Sequence, residues 1–108
     1  MSGAGAAGFY GGERWSVRGP LTIDSVASIL AASRAAALPA SGVVSLREAG
    51  DIDSSAVALL LAWRRRAIRE GRSLSFDSVP QGVTALAQLY GVEQLTFSLA
   101  DDPPARAA

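Results

Sequence analysis

In the 108-residue chain, groups that could do chemistry meet in one place, the stretch Asp51-Ile52-Asp53-Ser54-Ser55, directly ahead of an apolar run. The apolar spacing that follows predicts a helix starting near Ser54. At such a start the unpaired backbone N–H groups and the positive end of the helix dipole attract an acceptor oxygen or a phosphate. Two uses fit that setting: an ordinary N-cap, with Asp53 or Ser54 closing the first turn, or phosphorylation of a serine. A phosphate would bring about 1.5 to 2 negative charges beside Asp51 and Asp53, and the repulsion would release a docked partner. Asp51 and Asp53 read as helix-start residues rather than metal ligands, because two carboxylates without further acidic neighbours make a poor hard-cation site.

The remaining residue types exclude more than they offer. The chain has no His, no Cys and no Lys, and all ten basic residues are Arg. A Ser-His-Asp triad, a Cys nucleophile, a Schiff-base lysine, a zinc site of His or Cys ligands and a phosphate loop with its Lys are all ruled out. We expect no stand-alone enzyme, no metal and no cofactor. Ten acidic residues balance the ten arginines, so no global field draws the chain to nucleic acid or to anionic lipid. Arg64-Arg65-Arg66, with Arg69 and Arg72, falls in the C-terminal half of the predicted helix. There cations complement the dipole, and the run reads as a solvated face without an aromatic platform for nucleic-acid stacking.

These groups need a scaffold, and the hydrophobic pattern supplies a single α/β domain. Trp15 and Val17 alternate as a strand; Gly19-Pro20 is expected to turn the chain into a second extended piece over 21–23. Val26, Ile29, Leu30, Ser33 and Ala37 follow helical spacing, with Thr22 or Asp24 as N-cap and Pro39 as the stop. Val43, Val44 and Leu46 form a short central strand ending in a Gly50 loop. The second helix runs from near Ser54 to near Gly71, with Ala56, Val57, Leu60, Leu61, Trp63, Ala67 and Ile68 on its apolar arc and Arg65, Arg66 and Arg69 opposite. Trp63 is expected in the core, its indole N–H needing a partner. Leu74 and Phe76 make a further strand, Pro80 opens a third helix through Val83, Leu86, Ala87 and Tyr90, and Gly91 stops it. Leu95, Phe97 and Leu99 suit a last strand. Residues 1–12 and 100–108 read as flexible ends around a domain at 13–99. The longest apolar run, residues 56–63, ends at Arg64, well short of the roughly 20 residues that span a bilayer. Residues 1–12 lack the pattern of a secretory signal, so a cytoplasmic protein is expected.

A strand, an Asp-Ser-Ser turn and a Leu-rich helix in this order resemble the STAS domain, as found in anti-sigma factor antagonists and transporter regulatory subunits. Gly19-Pro20-Leu21, Ser45-Leu46-Arg47 and the helix closing on Gly91 agree with it over residues 15–99. The family usually has Asp, Ser and Gly where this chain has Ser45, Arg47 and Ala56. Leu86-Ala87-Gln88-Leu89-Tyr90-Gly91-Val92 is most similar to the small STAS subunit of Mla-type phospholipid transporters. The resemblance implies a mixed β-sheet with helices packed against it. It also implies a non-catalytic subunit docked on the ATPase of an ABC transporter that maintains outer-membrane lipid asymmetry, reaching the inner membrane only through that partner. The alternative it implies is an anti-sigma factor antagonist whose partner is a serine kinase, with Ser54, or else Ser55, as phospho-acceptor. In either case Asp51, Asp53, Ser54, Ser55 and Ala56 would form the partner contact, joined by Leu89 as exposed apolar surface.

Overall fold

A computed structural model describes residues 8–89. Within them the order is β1 (Gly8–Tyr10), β2 (Trp15–Leu21), α1 (Ile23–Arg34), β3 (Val43–Ile52), α2 (Ser54–Arg69), β4 (Ser75–Asp77) and α3 (Gln81–Leu89). The sheet runs β1-β2-β3-β4 in space, antiparallel between β1 and β2 and parallel between the other neighbours. Both parallel crossovers step the same way along the sheet. A right-handed connection therefore places α1 and α2 on one face and all the helix starts at the end where the parallel strands finish. This is the expected α/β domain with a mixed sheet and helices packed against it.

Alternation along the strands decides what faces the helices. Trp15, Val17 and Leu21 of β2, Val44 and Leu46 of β3 and Phe76 of β4 are buried in one cluster with Ile29, Leu60, Trp63 and Val83. The opposite sheet face is polar: Arg18 pairs with Glu48 at 3.2 Å and lies over the Tyr10 ring, and Arg14 pairs with Asp77 at 2.9 Å. An aromatic cluster anchors the helix side, with Trp15 5.2 Å from Trp63 and 4.8 Å from Phe9 between ring centroids, both edge-on. That geometry suits the quadrupoles of the rings.

The structure corrects four expectations. Gly19-Pro20 does not turn the chain, because β2 continues to Leu21 and absorbs a register shift there, with Gly19 in the left-handed region at φ 79°. The anticipated extended piece over 21–23 is instead the start of α1, with Thr22 as its N-cap. β1 lies inside the stretch 1–12 read as flexible, paired with β2 from Gly8↔Arg18 to Tyr10↔Ser16. Third, β3 does not stop at a Gly50 loop. It runs to Ile52, pairing with β2 through Gly19↔Ala49 and Leu21↔Ile52 and carrying the extra residue at each of the two register shifts, so Asp51 is a strand residue. Fourth, on α2 the buried arc includes Leu59, and Ile68 is 63% exposed. Gly91 and the strand expected at Leu95, Phe97 and Leu99 lie outside the described residues.

The helices end by different means. α2 closes on a left-handed Gly71 (φ 68°), whose N–H donates to Ile68 O while that of Arg72 donates to Ala67 O, the paired bonds of a Schellman stop. α1 has no glycine stop. Its end is held from α2 instead, by the Arg66 guanidinium donating to Ser33 O at 3.0 Å and Ala36 O at 2.7 Å. Beneath that clamp the Trp63 indole N–H donates to Ser33 Oγ at 2.8 Å, and Ser33 donates in turn to Leu30 O at 2.7 Å. The partner anticipated for Trp63 is thus a buried serine of the neighbouring helix.

Removing that partner strands an indole N–H in the core. Ser33→Ala should lower stability by about 1 to 3 kcal/mol in urea denaturation, the desolvation cost of an unmet buried donor. A midpoint unchanged within error would mean that another acceptor takes the indole N–H.

Candidate functional site

The starts of α1 and α2 lie side by side, and one carboxylate serves both. Asp53 is the N-cap of α2, its Oδ1 accepting from Ser55 N–H at 2.7 Å. Its Oδ2 accepts from the N–H of Ile23, the first residue of α1, at 3.0 Å. The Asp53 backbone N–H donates to Leu21 O at 3.2 Å, fixing the turn to the end of β2. α1 has its own closure as well, since Thr22 N–H donates to Ser25 Oγ at 3.1 Å and Ser25 Oγ–H reaches Pro20 O at 2.7 Å. Asp53 therefore satisfies one orphan donor on each of two helices, where a cap ordinarily serves one.

The backbone N–H of Ile23, followed by that of Ser55, holds the Asp53 carboxyl below its ordinary value of 3.8. Both bonds favour the charged form, as does the position at two positive dipole ends.

With Asp53 committed to the fold, the residues predicted for the site separate into four groups. Ser54 is exposed on the first turn of α2, and Asp51 is exposed at the end of β3, so both are accessible to a partner. Ser55 is half-buried, its N–H spent on Asp53. Ala56 is 0% exposed and cannot touch a partner; it belongs to the core, as its place on the apolar arc of α2 implied. Leu89 is 74% exposed, but it stands at the far end of α3, about 12 Å along the axis from that helix's start. The Ser54 surface and Leu89 are thus at different ends of the helical layer.

Ile23, which the sequence did not single out, completes the surface. It is 73% exposed and is joined through its own N–H to the cap of α2, so an apolar side chain stands next to Ser54, with Asp24 exposed after it. Its position at the first turn of a helix was legible only once Thr22 is taken as the N-cap. The result is an apolar knob in a polar, acidic rim, the composition of a small protein contact. No helix among the described residues is long and apolar enough to cross a membrane.

The double cap makes the fold's acid sensitivity specific. A carboxyl whose pKa is depressed on folding stabilises the protein at pH values above the unfolded value, and that contribution disappears as pH falls through the folded one. Asp53→Asn should therefore be less stable than the parent at neutral pH, and the difference should shrink as pH falls through the lowered Asp53 pKa, below the ordinary carboxylate range. Equal urea midpoints at neutral pH would show that the carboxylate does not hold the two helix starts.

Compared with known proteins, residues 13–99 match the family profile described as "Mlab, STAS domain". No curated protein matches the chain. The matched segment takes in the parallel strands, the shared cap of α1 and α2 and all three helices, and on that match the chain belongs to the STAS domain family, of the Mlab kind.

Proposed function

We propose that this domain is a non-catalytic accessory subunit that docks on the ATPase of an Mla-type ABC transporter and so takes part in maintaining outer-membrane lipid asymmetry. It acts in the cytoplasm and is held at the inner membrane only through that partner. The observation that carries this reading is the match of residues 13–99 to the Mlab kind of STAS domain. The docking surface is the end where α1 and α2 begin, with Ser54, Asp51 and Ile23 exposed around a cap that the fold itself keeps rigid. Rigidity matters because a preformed surface loses little conformational entropy on binding.

The second reading, an anti-sigma factor antagonist switched by a serine kinase, is favoured by one observation, the exposure of Ser54 on the first turn of α2. A phosphate there would meet the positive dipole end but also the carboxylates of Asp51 and Asp53, so its effect on a docked partner would be release.

Ser54→Glu tests the surface. The added charge is partly offset by the helix dipole, so the isolated fold should lose little, on the order of 1 kcal/mol. Binding should suffer more, because at an interface the charge must be desolvated or must face whatever group met the hydroxyl. Co-purification with the ATPase subunit should weaken clearly for Ser54→Glu and for Ile23→Asp, and survive in Ser54→Ala. Full affinity in Ser54→Glu with a normal melt would remove this end from the docking surface. Loss of binding in Ser54→Ala as well would show that the hydroxyl itself is part of the contact.

The non-catalytic reading has its own check. With no Lys and no phosphate loop in the chain, the purified domain should neither bind nor hydrolyse ATP. Turnover that follows the protein through successive purification steps would overturn it.

A further inference from the structure

We propose that the groove between α1 and α2 is a binding site for a phosphoryl anion, held by Arg34, Arg65 and Arg69. The groove encloses about 250 Å³ at the end of the helical layer opposite the Ser54 surface, over Leu30 and Trp63, with Arg34 on one wall and Arg65, Arg66 and Arg69 on the other. This inference stands apart from the docking reading, since it concerns the other end of the helices and different residues.

The arginines were expected to form a solvated face that complements the dipole of α2, and for one of them the structure gives a different role. Arg66 turns inward: its side chain is 19% exposed, and it pairs with Glu70 at 2.8 Å and with two carbonyls of α1. Its charge is largely answered. Arg34, Arg65 and Arg69 are exposed and make no ion pair among the described residues. Dipole complementarity favours cations near both helix ends. It does not require arginines from two helices to converge on one concavity, where each repels the others.

The shape and chemistry of the groove select the ligand class. A guanidinium offers a planar fork of donors that fits phosphate oxygens two at a time, and three of them approaching from two walls suit a tetrahedral anion better than a planar carboxylate. The volume lies below the roughly 300 to 1,000 Å³ of pockets for larger organic ligands, so it fits a phosphoryl group with a short organic part. The Trp63 indole N–H is already spent on Ser33, so the arginines supply the donors that an anion in the groove would meet. Such an anion can come from a soluble phosphate ester or from a phospholipid headgroup.

The full chain is titrated with inorganic phosphate and with glycerol 3-phosphate at constant ionic strength, using sodium chloride as the reference and following amide, guanidinium and indole N–H signals by NMR. Saturable shifts centred on Arg34, Arg65, Arg69 and the Trp63 indole are expected. The double variant Arg34→Gln/Arg69→Gln should bind roughly tenfold more weakly or worse, while Arg18→Gln on the opposite sheet face should bind as the parent does. Both groove residues are exposed, and circular dichroism melts confirm that the variants fold. A parallel arm measures co-sedimentation with vesicles of phosphatidylcholine alone and with phosphatidylglycerol added. Soluble-ester binding without vesicle binding assigns the site to a free phosphate ester. Binding to phosphatidylglycerol vesicles that is lost in the double variant assigns it to a headgroup. Shifts no different from those in chloride together with no vesicle binding, or binding that the double variant leaves intact, would overturn the proposal.

Discussion

The position of the helical layer depends on one carboxylate. Asp53 closes the first turn of α2 and, with its other oxygen, the first turn of α1. Two helices that cross the sheet in the same sense must begin at the same end, and their positive dipole ends are thereby brought together. Left alone, that arrangement places like partial charges and several unmet N–H donors side by side. A single negative group between them answers both problems. Both oxygens of the carboxylate are thereby engaged by the fold, and its neighbours Ser54 and Ile23 are more exposed than it is.

At the opposite end the same two helices are joined by cations and aromatics instead. Arg66 supplies donors to Ser33 O in the last turn of α1 and to Ala36 O just beyond it, and Trp63 reaches Ser33 beneath them. Arg72 adds a bond to Pro39 O at 2.9 Å and the Trp15 indole one to Ala37 O at 3.2 Å, so the connection leaving α1 is held along its length. α1 thus needs no glycine or proline stop of its own. Its hydrophobic stripe is short and its sequence rich in Ala and Ser; the neighbouring helix supplies what its own residues do not.

Much of this was legible in the sequence, and the exceptions share a cause. The limits of α2 could be read because local signals agree: Asp53 as cap, apolar spacing and Gly71 as stop. The core role of Trp63 and its need for an acceptor follow from its own chemistry, whereas Ser33 as that acceptor is a contact 30 residues away. Gly19-Pro20 looked like a turn because local propensity favours one; a bulge there depends on β3 running alongside, which no local window contains. The second role of Asp53, the inward turn of Arg66 and the exposure of Ile23 are likewise products of α1 lying beside α2. Ala56 was read both on the apolar arc and in the partner contact; two steps along a helix turn a side chain by about 200° from Ser54, and only the place on the arc holds.

Net charge is the clearest case of a property that composition averages away. Ten arginines against ten acidic residues give zero, and zero suggests a surface without a field. The fold sorts these charges by position: Asp24, Asp51 and Asp53 lie where the helices begin, and Arg34, Arg65, Arg66 and Arg69 where α1 and α2 end. Along the helix axes the two groups are about 15 Å apart on α1, from Asp24 to Arg34, and about 18 to 24 Å apart on α2, from Asp53 to Arg65 and to Arg69, at 1.5 Å per residue. At physiological ionic strength the screening length is about 8 Å, so neither end senses the other through solvent. A ligand or partner at either end meets the charges placed there, acidic where the helices begin and mainly cationic where they end, with Glu70 answering Arg66, and the zero balance of the whole chain describes neither end.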